Sequence, residues 1–209
     1  MIKNIIFDWS GVINDNVLTG LTAINYILKH FDVKEITVEE MKKEWIQPYP
    51  LFYEKFVPNL TLEKEQELYK IAYPEAKKII PTRCYPGMDI TLKKFKDAGI
   101  NMIIISSDLP DHLFGEMENY GLNGIFTEVY SDVVDKRKGL EEILTKHQFA
   151  HDETIFIGDT HHEVDSGKSV GMITGAVTWG FQNEEDLKKI KPNYIFHTPL
   201  ELENVVFNK

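Results

Sequence analysis

The sequence holds a single cysteine, Cys84, and its 23 lysines and arginines are outnumbered by 33 aspartates and glutamates, for a formal net charge of −10. A lone cysteine excludes an intrachain disulfide and a cysteine-based zinc site, and it fits a reducing, cytoplasmic compartment. The acidic balance opposes the electrostatic attraction on which nucleic-acid and anionic-membrane binding depend, so a small molecule is the expected ligand. Long apolar runs are missing too: nothing approaches the about 18 residues of a membrane span, and Ile2–Phe7 is shorter than a signal-peptide core. Neither export nor insertion is expected. Repeats, low-complexity tracts and Gly/Ser linkers are also absent, which leaves hydrophobic period as the guide to organisation.

What is present is a chain of 209 residues, long enough for one large core with a small satellite. The run Ile2-Lys3-Asn4-Ile5-Ile6-Phe7-Asp8, followed by Gly11, reads as a buried strand feeding a tight turn. Similar runs recur at Met102–Ser106, Thr154–Asp159 and Met172–Thr178. Helical periods lie between them: Met88, Leu92 and Phe95 before the stop at Gly99, then Leu140, Ile143, Leu144 and His147. Alternating strand and helix predicts an α/β fold, a Rossmann-like parallel sheet with helices on both faces.

From about Asn16 to Pro81 the alternation stops. Leu21, Ile24, Leu28 and Phe31 keep helical spacing, and Thr37-Val38-Glu39-Glu40 has the form of a capping box before Met41 and Trp45. We read an all-helical insertion, a cap at 15–82, between two parts of an α/β core at 1–14 and 83–209. Its aromatics Trp45, Tyr49, Phe52, Tyr53 and Phe56 suit the core of that insertion, the reading preferred here, or the lining of a pocket, and Pro48 and Pro50 suggest a loop.

Open parallel sheets bind ligands beyond the carboxyl ends of their strands. The polar residues expected there are Asp8 and Ser10; Ser106, Ser107 and Asp108; Gly158, Asp159 and Thr160; and a lysine at 136 or 138 ahead of a helix. Asp8 and Asp159 together would suit a hard cation such as Mg²⁺, with a lysine and a serine hydroxyl left to hold a phosphate.

On these residues the chain resembles the haloacid dehalogenase-like hydrolase superfamily. Ile5-Ile6-Phe7-Asp8-Trp9-Ser10-Gly11-Val12-Ile13 is similar to its first motif, Ile103-Ile104-Ile105-Ser106-Ser107 to its second, Lys138 to its third, and Ile155-Phe156-Ile157-Gly158-Asp159-Thr160-His161-His162-Glu163 to its fourth. Tyr85-Pro86-Gly87 and Val177-Thr178-Trp179-Gly180-Phe181 resemble phosphoglycolate-type phosphatases of that group. The resemblance implies a Mg²⁺-dependent phosphohydrolase acting on a small phosphorylated metabolite. Asp8 would be the nucleophile, forming an aspartyl-phosphate, with Ser106, Ser107 and Lys138 binding the phosphoryl group. The metal would lie on Asp8, the main-chain carbonyl of Ser10 and Asp159, with Glu163 supporting its waters or the lysine. Lys138 is preferred to Lys136 because Lys138-Gly139-Leu140 opens the amphipathic helix.

One position departs from the pattern. Family phosphatases carry a second aspartate two residues after the nucleophile, as general acid and base, and here Ser10 stands there. Losing such a group typically costs about 10²–10⁴-fold in rate. The departure leaves open a hydrolase of activated phosphates, a substitute acid in His161 or His162, a C–P or C–halogen hydrolase, and a non-catalytic or regulatory protein that binds Mg²⁺ and a phosphorylated ligand or partner. Substrate and oligomeric state are not legible.

Overall fold

Residues 1–46 and 49–208 are described by the computed structural model, so Pro48 lies outside the described residues. The first elements are β1 (Asn4–Phe7), β2 (Asn14–Asp15), α1 (Val17–His30), α2 (Val38–Glu44), α3 (Pro50–Glu54), α4 (Leu62–Ile79) and β3 (Arg83–Cys84). Next come α5 (Met88–Asp97), β4 (Asn101–Ile105), α6 (Pro110–Asn119), β5 (Glu128–Tyr130) and α7 (Lys136–His147). The chain continues through β6 (Thr154–Gly158), α8 (His161–Ser169), β7 (Ile173–Val177), α9 (Glu184–Lys189), β8 (Tyr194–Phe196) and α10 (Pro199–Val206).

Six strands form one sheet in the order β5-β4-β1-β6-β7-β8, every neighbouring pair parallel. All four residues of β1 are buried, because both faces of the sheet are covered. Its alternate side chains divide between two cores: Ile5 and Phe7 pack with Met88, Leu92, Leu113 and Leu202, whereas Ile6 packs with Leu140, Ile143 and Leu144 of α7. From β1 the strands proceed outward to β4 and β5 on one side and to β6, β7 and β8 on the other. The carboxyl end of β1 is therefore the point where strand order reverses, the crevice such sheets use for ligands.

Helices α1 to α4 lie between the strands of a short antiparallel ribbon, β2 and β3, which pairs Asn14 with Cys84 and Asp15 with Arg83. They share an apolar cluster of their own that includes Ile27, Leu28, Phe52, Leu68 and Tyr73. Thr37 and Glu40 form the expected capping box at the start of α2. Pro50 opens α3 instead of marking a loop, since proline is tolerated at the first helical position, where no intrahelical N–H bond is lost. The buried carboxylate of Glu116 on α6 ties this layer to the sheet, accepting from Trp9 Nε1 (2.9 Å), Asn14 Nδ2 (2.7 Å), Tyr73 OH (3.2 Å) and Lys77 Nζ (3.0 Å). Strands β5 and β8 have no counterpart in the expected set; they are three-residue edge strands with little fully buried surface.

Candidate active site

Asp8 leaves the end of β1 with its N–H bonded to Ile157 O at 2.9 Å, which continues the β1–β6 ladder by one residue and fixes the carboxylate at the sheet's carboxyl edge. It is 4% exposed. Burial pushes its carboxyl up to about 7, with Glu163 adding to the rise and Lys136 opposing it.

The lysine at this edge is Lys136, not Lys138 as the sequence reading prefers. Lys136 Nζ lies 2.7 Å from Asp8 Oδ1 and 3.0 Å from Glu163 Oε1, and the side chain is 2% exposed. Helical geometry decides between the two. The inward stripe of α7 is Lys136, Gly139, Leu140, Ile143 and Leu144, and a residue two places along points about 200° away. Lys138 is accordingly exposed, and its N–H is capped by Asp135 Oδ1 at 3.2 Å. Burial opposes the charge on Lys136, but Asp8 and Glu163 outweigh it and hold the ammonium protonated.

Asp159 and Glu163 belong to the turn after β6 and the first turn of α8. Asp159 Oδ2 accepts from Phe181 N at 2.6 Å. A Cβ on Gly11 or Gly180 would run into the Asp159 carboxylate, so two glycines from separate loops make the space it occupies. Burial raises Asp159 well above the usual carboxylate range, reinforced by Glu163 and Asp8. Glu163 is committed twice: Oε1 to Lys136, and Oε2 to the N–H (3.0 Å) and hydroxyl of Thr160. Asp8, Asp159 and Glu163 can each direct a carboxylate oxygen to within 4.8 Å of the others. An all-oxygen donor set of this kind fits a hard divalent cation.

Asp108 stands opposite, a residue to which the sequence reading gives no role. It is fully within the site: Oδ2 accepts from Ser10 Oγ (2.6 Å) and from Ser106 Oγ (3.0 Å). Ser10 Oγ also accepts from Asn16 Nδ2 at 2.9 Å, and Asn16 Oδ1 accepts from Gly11 N at 3.0 Å, which closes the loop after β1. Burial pushes the Asp108 carboxyl up, against the pull of the Ser10 hydrogen bond. The signal available in sequence was the strand-end triplet Ser106-Ser107-Asp108; nothing in it says that the third residue turns back toward the first.

These groups border a cavity of about 110 Å³ between the strand ends and the helical layer. Asp8, Ser10, Ser106, Ser107, Asp108 and Asp159 line one end of it. Trp45, Tyr49 and Tyr53 line it from the helical side and also belong to or pack against the core of the helical layer, as expected for Phe52 and Phe56 too. Phe181, from the loop after β7, joins the two by stacking on Trp45 at 4.6 Å between ring centroids. Neither histidine lines the cavity: the His161 ring lies 3.3 Å from Gln182 Oε1, and His162 Nε2 is buried without a partner.

The family profile of haloacid dehalogenase-like hydrolases matches residues 5–177 of the chain. The chain belongs to the haloacid dehalogenase-like hydrolase family. Among curated proteins, this hydrolase is 22% identical over 203 residues to the phosphoglycolate phosphatase of Synechococcus elongatus, covering 95% of this chain and 94% of that one. It is 26% identical over 213 aligned positions to the pyrophosphatase PpaX of Bacillus pumilus, covering 98% and 96%. Among solved structures, a haloacid dehalogenase-like family protein from Streptococcus pneumoniae aligns with a TM-score of 0.85 at 22% identity, over 100% of this chain and 99% of that one. A hydrolase from Pseudomonas syringae aligns at 0.82 with 16% identity, over 99% and 98%. The hydrolase therefore shares its whole architecture with that family, and no helix among its described residues is long and apolar enough to cross a membrane.

Proposed function

We propose that this hydrolase is a Mg²⁺-dependent phosphatase of small phosphorylated molecules, with Asp8 as the nucleophile. The observation that carries the reading is the Asp8–Lys136–Glu163 chain at the reversal point of the sheet, with Asp8 lining a cavity. Names of the relatives, a phosphoglycolate phosphatase and a pyrophosphatase, support the substrate class.

Asp8 is placed to attack phosphorus and form an aspartyl-phosphate, dividing one difficult displacement into two easier ones. Lys136 favours the ionised form of Asp8 against the effect of burial and offers charge to the transferring phosphoryl oxygens, while Ser106 and Ser107 orient them. Asp8 and Asp159 would hold Mg²⁺ together with the Ser10 carbonyl, and the ion would supply charge stabilisation for the in-line transfer. Glu163, whose oxygens are taken by Lys136 and Thr160, acts as a positioning residue for the lysine.

Ser10 cannot serve alone as a general acid, but its hydroxyl donates to Asp108, a half-buried carboxyl pushed toward its neutral form. The pair stands where the family's second aspartate would, and Asp108 supplies the titratable group that Ser10 lacks. The test is hydrolysis of acetyl phosphate and of an alkyl phosphate with Mg²⁺, for the native protein and Asp8→Asn. Activity that disappears in the variant is expected; equal activity in both would remove the phosphoenzyme mechanism.

A further inference from the structure

Glu65, on the first turns of α4, is 3% exposed and lines the same cavity from the helical layer. Its Oε2 is buried without a hydrogen-bond partner. A carboxylate left this way ordinarily costs stability, and cores are rarely built with one unless something outside the chain completes it. Burial alone shifts its carboxyl, up to about 7, with no neighbouring cation acting on it. Lys42, half-buried on α2, feels the charges of Asp159 and Glu39, not that of Glu65.

Three further features converge on Glu65. Trp45, Tyr49, Tyr53 and Tyr69 line the same cavity, giving it aromatic walls. Trp45 Nε1 is a second buried polar atom with no partner. None of the described residues lining the cavity is a lysine, arginine or histidine, whereas Asp8, Glu65, Asp108, Asp132 and Asp159 all do. Aromatic faces and an uncompensated carboxylate attract a cation, and they repel a second carboxylate. A hydroxyl could donate to Oε2 but would leave the charge in place, whereas an ammonium donates and neutralises it.

On the reading of this cavity as a phosphatase substrate site, we propose that it selects phosphate monoesters whose leaving group carries a positively charged amine, with Glu65 as the specificity-determining residue. The aromatic side chains enclose the amine's alkyl chain. A leaving group that ends in a carboxylate, such as that of phosphoglycolate, is disfavoured here.

The test is calorimetric binding of non-hydrolysable phosphonates in the presence of Mg²⁺: 2-aminoethyl- and 3-aminopropylphosphonate against the hydroxyl and carboxylate analogues of the same lengths. The better amine is expected to bind about tenfold or more tightly than its hydroxyl analogue, with the carboxylate weakest. In Glu65→Gln, which keeps the side-chain shape, that preference should fall to about the level of the neutral analogue. A preference below about threefold in the native protein, or one that survives Glu65→Gln, overturns the proposal. The native ranking alone decides the matter should the variant fold poorly. Acetyl phosphate hydrolysis with the Asp8→Asn control, run alongside, shows separately whether the phosphatase reading itself fails.

Discussion

Replacing Lys136 by methionine removes the one ammonium that lies against both Asp8 and Glu163, at 2.7 and 3.0 Å, in a setting where all three side chains are nearly or fully buried. Breaking a buried ion pair from one side leaves an unpaired charge and costs about 3–5 kcal/mol. The upper end is not expected here, because Asp8 can take up a proton: its carboxyl already stands at about 7 with the lysine present, and without it rises further. The loss should therefore be about 3 kcal/mol at pH 8 and smaller at pH 5, where a protonated Asp8 needs no partner. For a chain of this size that corresponds to a melting temperature lowered by about 6–12 °C at the higher pH. Metal-dependent turnover should fall by about 10²–10³-fold, the usual effect of removing one group that stabilises developing charge. Lys138→Met, on the exposed side of α7, should stay within about 0.5 kcal/mol and keep its activity. Urea unfolding at both pH values and acetyl phosphate hydrolysis measure the pair. Matching behaviour of the two variants, or a Lys136→Met protein unchanged in both respects, would refute the placement of the lysine.

Three other outcomes are expected. Glu65 titrates near 4.5 when unfolded and about 7 when folded, so the advantage of its neutral form is full below 4.5 and gone above 7. Glu65→Gln should then gain up to about 3 kcal/mol relative to the native protein between pH 4.5 and 8, and an equal gain at both ends in urea unfolding would contradict the assignment. Asp108→Asn should slow hydrolysis of an alkyl phosphate by at least about tenfold more than that of acetyl phosphate, whose leaving group needs no proton; equal slowing would deny Asp108 its proton-transfer role. Gly180→Ala drives a methyl group into the Asp159 carboxylate and should weaken Mg²⁺ binding by about 10–100-fold in a calorimetric titration, with unchanged affinity counting against Asp159 as a ligand.

Much of this could be read from the residues. The runs that became β1, β4, β6 and β7 are apolar because both faces of those strands are covered, and that pattern survives in sequence. Strands β5 and β8 do not have it: they are short, lie at the sheet edges and mix exposed with half-buried residues. Lys136 was legible but misplaced, since Leu140, Ile143 and Leu144 define the inward stripe and Lys136 falls four residues before its first leucine. The choice of Lys138 followed the motif's place at the helix start in preference to the helix's own period. Asp108 was among the expected strand-end residues, but its pairing, like any role for Glu65, was beyond reach for a different reason. The role of Asp108 depends on a side chain 98 residues away, and that of Glu65 on an Oε2 without a hydrogen-bond partner among the described residues, neither of which leaves a mark in local sequence.

The two ends of the cavity are electrostatically unlike, and the difference constrains any ligand that fills both. At the strand ends, Asp8 and Glu163 share the ammonium of Lys136, while Asp108 and Asp132 add further carboxylates, so this end carries surplus negative charge, part of it on Asp8 and Asp159. A divalent cation between those two would turn this end from one that repels a phosphate into one that holds it. At the helical end no such conversion is built in, because among the described residues no cation shifts Glu65 and Glu65 is not part of the carboxylate group suited to a metal. The ligand itself must bring the positive charge there. A molecule satisfying both ends is a zwitterion with phosphate at one terminus and ammonium at the other, and its dipole fixes its direction in the cavity. Reversed, it would set a phosphate against Glu65 and an ammonium against the metal, so the charge pattern that selects the ligand also presents its phosphorus to Asp8.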